Sequence, residues 1–395
     1  MGWNSMSRRP IALSPDLLRL QNEGYDIDIG DGFLLVRDVP FIDSQRAVRR
    51  GMLISTLKLS GDIAEKPDTH VCYWTGTHPC HADGSKISSI ENSSAPQDLA
   101  PGVRADFTFS AKADYRDYYH KMTTYMGRIS GEAAKLDPSV TACTFPVIPT
   151  GENESVFKYI DTATSRAGIG VINARLDGLR IGIAGLGGTG SYILDFVAKT
   201  CVAEIRLFDG DIFSQHNAFR SPGAPSIEEL QAKPQKVTRF AAIYSNMRRG
   251  ITVHDAFLEP DNFALLDGLD FIFVCMDVGS TKRALIEHVV NRGVPFIDVG
   301  MGVVVNDGRL SGIVRTTTST ADTRDSAARH ISFAEGDVGA NEYSSNIQIA
   351  ELNALNAAMA VIRWKKLFGV YNDTRKEVYA GYSLASGETV VEGLA

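Results

Sequence analysis

The chain has 395 residues, of which 44% are hydrophobic and 22% charged, and a formal net charge of -7. That length implies two domains, and that composition belongs to a folded globular protein rather than a disordered or membrane-embedded one. The acidic balance argues against a nucleic-acid-binding face, and no apolar run approaches the ~20 residues that a membrane helix needs.

In chain order, Met1–Leu20 carries three arginines but neither a continuous apolar core nor a small-residue cleavage site. No signal peptide is read there, and the cytoplasm is the expected compartment. Strand composition marks Gly30–Ile42 and His70–Gly76, and Asp114–Asp137 reads as an amphipathic helix. With THPCHADGSK and SSAPQDLAPG as surface loops, this predicts a smaller α+β domain over residues 1–160, serving to dock a partner. Within it, His70, Cys72, His78, Cys80 and His81 have metal-ligand chemistry but lack the second pair of close ligands of a structural zinc site. The plainer reading packs Cys72 on a strand and leaves His78 and His81 on a loop, with Cys80, flanked by histidines, as a candidate reactive thiol. The five cysteines are odd in number and scattered, which fits reduced thiols.

The segment VIPTGENESVF interrupts the pattern, and a second domain is read over 161–395. Arg180–Ala184 is an apolar run suited to a buried parallel strand. It breaks at Gly185, Gly187, Gly188 and Gly190 before a helical pattern over Ser191–Lys199. A second strand, Glu204–Phe208, ends at Asp209. Pro234–Arg248 reads as a helix, ITVHDAF as a strand, Leu269–Asp277 as a central strand and TKRALIEHVVNRG as a helix. PFIDVGMGVVV and GRLSGIVRTT read as strands, and Ile347–Gly369 as a long Ala-rich helix covering a sheet face. Alternating strand and helix of this kind predict an α/β, Rossmann-like doubly wound sheet.

Strand, glycine turn and helix together make a nucleotide site, because the backbone there can approach phosphate oxygens and the helix N-terminus presents N–H donors. Asp209, at the tip of the second strand, suits ribose hydroxyls. A dinucleotide oxidoreductase would need no more than this. Asp211, Asn217, Arg220, Lys236 and Asp277 come next in the chain, and all can converge at the carboxyl ends of the strands. Cations beside a metal-binding aspartate suit adenylate transfer, in which a carboxylate attacks the α-phosphorus of ATP and pyrophosphate leaves.

From about Tyr159 to Gly369 the chain resembles the ThiF/MoeB family, whose adenylating domain is shared with ubiquitin-activating enzymes. The family pattern GxGGxGS matches Gly185, Gly187, Gly188, Gly190 and Ser191. Its acidic strand end and adjoining NLxRQ match Asp209, Asp211, Asn217 and Arg220 in FDGDIFSQHNAFR. Its lysine matches Lys236 in PQKV, and the aspartate of its CTDN-like strand end matches Asp277 in CMDVG. The resemblance implies that Asp209 holds the ribose, that Asn217, Arg220 and Lys236 hold the phosphates, and that Asp277 holds Mg2+. It also implies that Arg166, in TSRAGIG, reaches into a partner subunit's site, and hence a homodimer.

Two departures from the family pattern bear on the fate of the adenylate. The paired CxxC motifs of many bacterial members are missing, so no structural zinc is expected, and no cysteine comes after Cys275 to form a thioester. Cys275 and Cys201 read as core thiols, which leaves Cys80 and Cys201 as weak thioester candidates. DTATSRAGI, HNAFRSPGA and ALNAAMAVIRWKKLFG, with the first domain, further resemble bacterial proteins in which an uncharacterised domain precedes a ThiF domain, near genes for ubiquitin-like and conjugating-enzyme-like proteins. The resulting expectation is ATP-dependent adenylation of the C-terminal glycine carboxylate of a ubiquitin-like protein, with a conjugating-enzyme-like partner and with neither nucleic acid nor membrane. Adenylation of a small molecule or tRNA base, or an NAD-binding oxidoreductase, are the alternatives.

Overall fold

A computed structural model describes residues 7–277, 279–333 and 347–393. Residues 1–6, which open the Met1–Leu20 stretch, lie outside the described residues. The chain divides into two compact units, Met1–Ile148 and Pro149–Ala395.

The first unit is built on a six-stranded antiparallel sheet in the order Ile27–Gly30, Phe33–Ile42, Val48–Thr56, Val71–Thr75, Phe107–Ser110, Glu91–Ser93. Tyr118, Met122, Tyr125, Met126 and Ile129 recur at helical spacing and are buried, so Tyr118–Leu136 folds as the predicted helix and closes the core over Trp74 and Phe109. It starts four residues later than its polar flank suggested, because the Asp117 carboxylate caps it by accepting the His120 N–H at 2.7 Å.

Three expectations for this unit are corrected. SSAPQDLAPG is not simply a loop: Gln97–Ala100 pairs with Val103–Ala105 as a hairpin. His78 lies on the expected loop but is buried, edge-on to Phe107 and Phe109. Cys80 is not a poised thiol: its N–H donates to the Ile42 carbonyl, which draws the segment against the sheet, and burial pushes the thiol pKa up. Cys72 is fully buried on its strand, and among the described residues no group of three or more His, Cys, Asp or Glu could hold a metal ion.

Lys121 is fully buried, its ammonium donating to Ser55 Oγ at 2.8 Å, and burial pulls its pKa below the ordinary 10.5. Between that lowered pKa and 10.5 the unfolded chain binds more protons than the folded one, so this group makes stability rise with pH; below both values the full cost of burying the charge remains. Lys121→Met is expected to raise the unfolding free energy at neutral pH by on the order of 1–2 kcal/mol. It should also flatten the alkaline rise. Urea unfolding at neutral and alkaline pH checks this, and a lower midpoint at neutral pH would refute it.

The second unit carries an eight-stranded sheet in the order Ile251–His254, Glu204–Phe208, Arg180–Ala184, Phe271–Val274, Phe296–Asn306, Arg309–Ser319, Glu377–Ser383, Thr389–Gly393. The first five strands are parallel and the rest are antiparallel. Strand order reverses at Arg180–Ala184, whose chain successor lies on one side and whose other neighbour, Phe271–Val274, is the third strand after it in the chain. That is the switch point of a doubly wound sheet, where the carboxyl ends of two strands leave a crevice. Trp364 of the helix Ala350–Leu367 and residues of Gly188–Ala198 and Lys236–Tyr244 share one core on this sheet. Leu285, Ile286 and Val289 of Ser280–Asn291 share another with Ile272 and Val274.

The last two strands carry no signal that set them apart in the sequence. VIPTGENESVF is held to this unit by Arg249, whose guanidinium donates to the carbonyls of Thr150 at 3.0 Å and Ser155 at 3.2 Å. Among the described residues no helix is long and apolar enough to cross a membrane.

Candidate nucleotide site

The turn after Arg180–Ala184 is tight because Gly185 has a φ of 92° and lies so close to the end of Phe271–Val274 that a Cβ would stand 2.6 Å from the Cys275 carbonyl oxygen. Gly190 is closer still to its surroundings, a Cβ there falling 1.9 Å from the Gly185 carbonyl oxygen. Gly187 caps the helix Gly188–Ala198 and faces open space. The loop therefore presents the first N–H groups of that helix at the crevice.

Asp209 lies just past the second strand and is buried; its carboxylate accepts the Leu186 N–H at 2.7 Å and the Asp211 N–H at 2.9 Å. This ties the glycine loop to the next strand end. The buried Lys236 ammonium lies 2.6 Å from Asp211 and 3.4 Å from Asp209. Its position is set by the backbone, since Lys236 N–H donates to the Asp211 carbonyl and Phe213 N–H to the Pro234 carbonyl. Asn217 completes a capping box with Ser214, its Oδ1 accepting the Ser214 N–H at 2.8 Å.

Arg220 lies just past the short helix Gln215–Ala218 that this box caps and is half-buried. Burial pulls its pKa down, while the carboxylates of Asp277 and Asp211 push it back up. Its Nε is buried and has no hydrogen-bond partner among the described residues. His216, unremarked in the sequence, lies in the same field: burial first, then Arg220 and Lys236, lower its pKa. Asp277 is exposed just beyond Phe271–Val274. Asp209, Asp211 and Lys236 are thus in direct contact, and Arg220 is in the electrostatic reach of Asp211 and Asp277. Arg166 is placed on Thr162–Ala167, a short helix with no buried residue.

Behind Asp277, a buried ion network was also missed. Asp298, fully buried, pairs with Lys282 at 2.5 Å and with Arg315 at 3.0 Å. Lys282 stands in the first turn of Ser280–Asn291, so the network anchors the helix that comes after Asp277. Cys275 lies close by, and burial pushes its thiol pKa up, as it does for Cys201. Chemically, the crevice offers backbone donors, three cationic or titratable nitrogen groups and an exposed carboxylate, a set that suits a polyanion with a metal ion.

A family model described as a domain of unknown function, DUF6791, matches residues 15–162, and that of the ThiF family matches 165–382. The tRNA threonylcarbamoyladenosine dehydratase of Haemophilus influenzae is 26% identical over 129 residues, 32% of this chain and 49% of that protein. The chain thus spans about half the length of this curated relative. Among solved structures, E. coli MccB with ATP is 16% identical and covers 57% of this chain and 66% of its own, with a TM-score of 0.42. PaaA is 18% identical and covers 57% and 76%, with a TM-score of 0.42. With the ThiF match running over more than half of its length, the chain belongs to the ThiF family.

Proposed function

We propose that the chain is an ATP-dependent adenylyltransferase that activates the C-terminal glycine carboxylate of a ubiquitin-like protein. The observation that carries this reading is the Arg220 guanidinium, half-buried, with its Nε lacking a hydrogen-bond partner among the described residues and within the electrostatic reach of Asp211 and Asp277. A half-buried cation with an unsatisfied N–H suits a phosphate chain better than a ribose or nicotinamide.

In this reading the backbone of Gly185, Gly187, Gly188 and Gly190 approaches the phosphates. Asp209, whose carboxylate has acceptor capacity beyond its two backbone donors, takes a ribose hydroxyl. Lys236, Arg220 and Asn217 hold the phosphates, Asp211 orients Lys236, and Asp277 supplies the single carboxylate that Mg2+ commonly takes when phosphates provide its other ligands. Mg2+ would neutralise phosphate charge there. The substrate carboxylate forms a bond to the α-phosphorus, the bond to the bridging oxygen breaks, and pyrophosphate leaves with the charge that Arg220 and Lys236 offset. Arg166 would complete the site of a second subunit in a homodimer.

Cys72 and Cys80 are buried, burial raises the thiol pKa values of Cys201 and Cys275, and Cys143 belongs to the first unit rather than the unit that carries the glycine loop. This favours an enzyme that stops at the acyl adenylate and passes it to a thiol on a conjugating-enzyme-like partner, with residues 1–160 as the docking domain. The five free cysteines fit the cytoplasm.

The likeness to the Haemophilus influenzae dehydratase supports a second reading, adenylation of a tRNA base. ATP–pyrophosphate exchange separates the two. Exchange that requires a ubiquitin-like protein with a free C-terminal glycine, and that falls ~10²-fold or more in Asp277→Ala, is expected. AMP release driven by tRNA without any protein substrate would select the second reading, and exchange with neither would refute both.

A further inference from the structure

Two asparagines one helical turn apart, in ELNALN, lie on the inward face of Ala350–Leu367. Asn353 is 1% exposed and Asn356 fully buried. An amide is a costly side chain to bury, so its hydrogen bonds decide whether it is tolerated. Those of Asn353 go to two segments far apart in the chain. Its Oδ1 accepts the Thr189 hydroxyl at 2.9 Å, and its Nδ2 donates to the Arg220 carbonyl at 3.3 Å. Gly188 packs directly on the same amide, where a Cβ would fall 2.1 Å from Nδ2. Asn356 Nδ2 donates to the Gly300 carbonyl at 3.0 Å, which fixes the helix to the strand beyond Asp298.

We propose that Asn353 is a positioning residue for the nucleotide: one amide sets the spacing between the glycine loop, held at Gly188 and Thr189, and the backbone of Arg220, while Asn356 holds the helix in register. This rests on the ATP reading of the same site. Thr189 lies in the first turn of the phosphate-facing helix, and Arg220 is the cation expected to oppose it. A triphosphate gripped from both sides is sensitive to a change of ~1 Å in that gap. Asn353 acts through Arg220, so its influence should disappear when the Arg220 side chain is gone.

The test is calorimetric titration of the full chain with ATP and Mg2+ in a double-mutant cycle. Asn353→Leu is expected to weaken ATP binding by ~10-fold in the wild-type background, and by less than about 2-fold in the Arg220→Ala background. Thr189→Val, which removes one hydroxyl and keeps the shape, should weaken binding by about 3-fold while lowering the thermal midpoint by only a few degrees, so the proposal remains testable if Asn353→Leu does not fold. Multiplicative losses in the two backgrounds, or wild-type affinity in both variants, would overturn the positioning role alone. Absence of ATP binding by the unaltered chain would instead overturn the reading on which it rests.

Discussion

Lys236→Met is expected to lower the unfolding free energy by on the order of 3 kcal/mol and to reduce adenylation by ~10²–10³-fold. The ammonium stands between Asp209, 7% exposed, and Asp211, whose side chain is 55% exposed. Its contact with Asp211 is screened by water and contributes little. Its presence near Asp209 matters more, because without it a buried carboxylate keeps only two backbone donors and gains an uncompensated carboxylate neighbour. The loss in activity has a separate origin, the charge removed from the departing pyrophosphate. Urea unfolding and pyrophosphate exchange measure the two effects independently, and a variant with wild-type stability would show that the Lys236–Asp209 contact is not part of the fold.

Gly190→Ala is expected to cost more than about 3 kcal/mol, or to prevent folding of the second unit, because the added methyl would meet the Gly185 carbonyl oxygen at 1.9 Å and both partners are backbone. Gly187→Ala gives the contrast. Its Cβ would enter open space, so stability should stay within about 0.5 kcal/mol of wild type while nucleotide binding weakens. Thermal unfolding of the pair, with ATP titration of Gly187→Ala, checks both. Equal destabilisation by the two substitutions would contradict the assignment of one glycine to packing and the other to the ligand side.

Much of the second unit was legible because its signals are local. The apolar runs Arg180–Ala184 and Glu204–Phe208 fold as strands at the bounds their composition suggested, and the glycines between strand and helix mark the turn. Asp209, Asp211 and Lys236 could be grouped because strand ends in a doubly wound sheet point to one edge. Asn353 could not, since it reaches Thr189 across 164 positions of sequence and a polar residue in an Ala-rich helix usually faces water. The repeated asparagine at a three-residue interval was the available signal. Lys282, Asp298 and Arg315 were hidden for a related reason: their pairing depends on which strands are neighbours, which no single segment reveals. In the first unit, Cys80 was misread because flanking histidines suggest reactivity, whereas the bond of its N–H to Ile42 buries it.

The central claim is that the crevice beside Gly185–Gly190 binds a nucleoside triphosphate for carboxylate activation. Competitive calorimetric titration with ATP and Mg2+ against NAD tests it most directly. Saturable ATP binding at one site per chain, weakened by at least ~10-fold in Arg220→Ala and without competition from NAD, is expected. Tight NAD binding without ATP binding would contradict it.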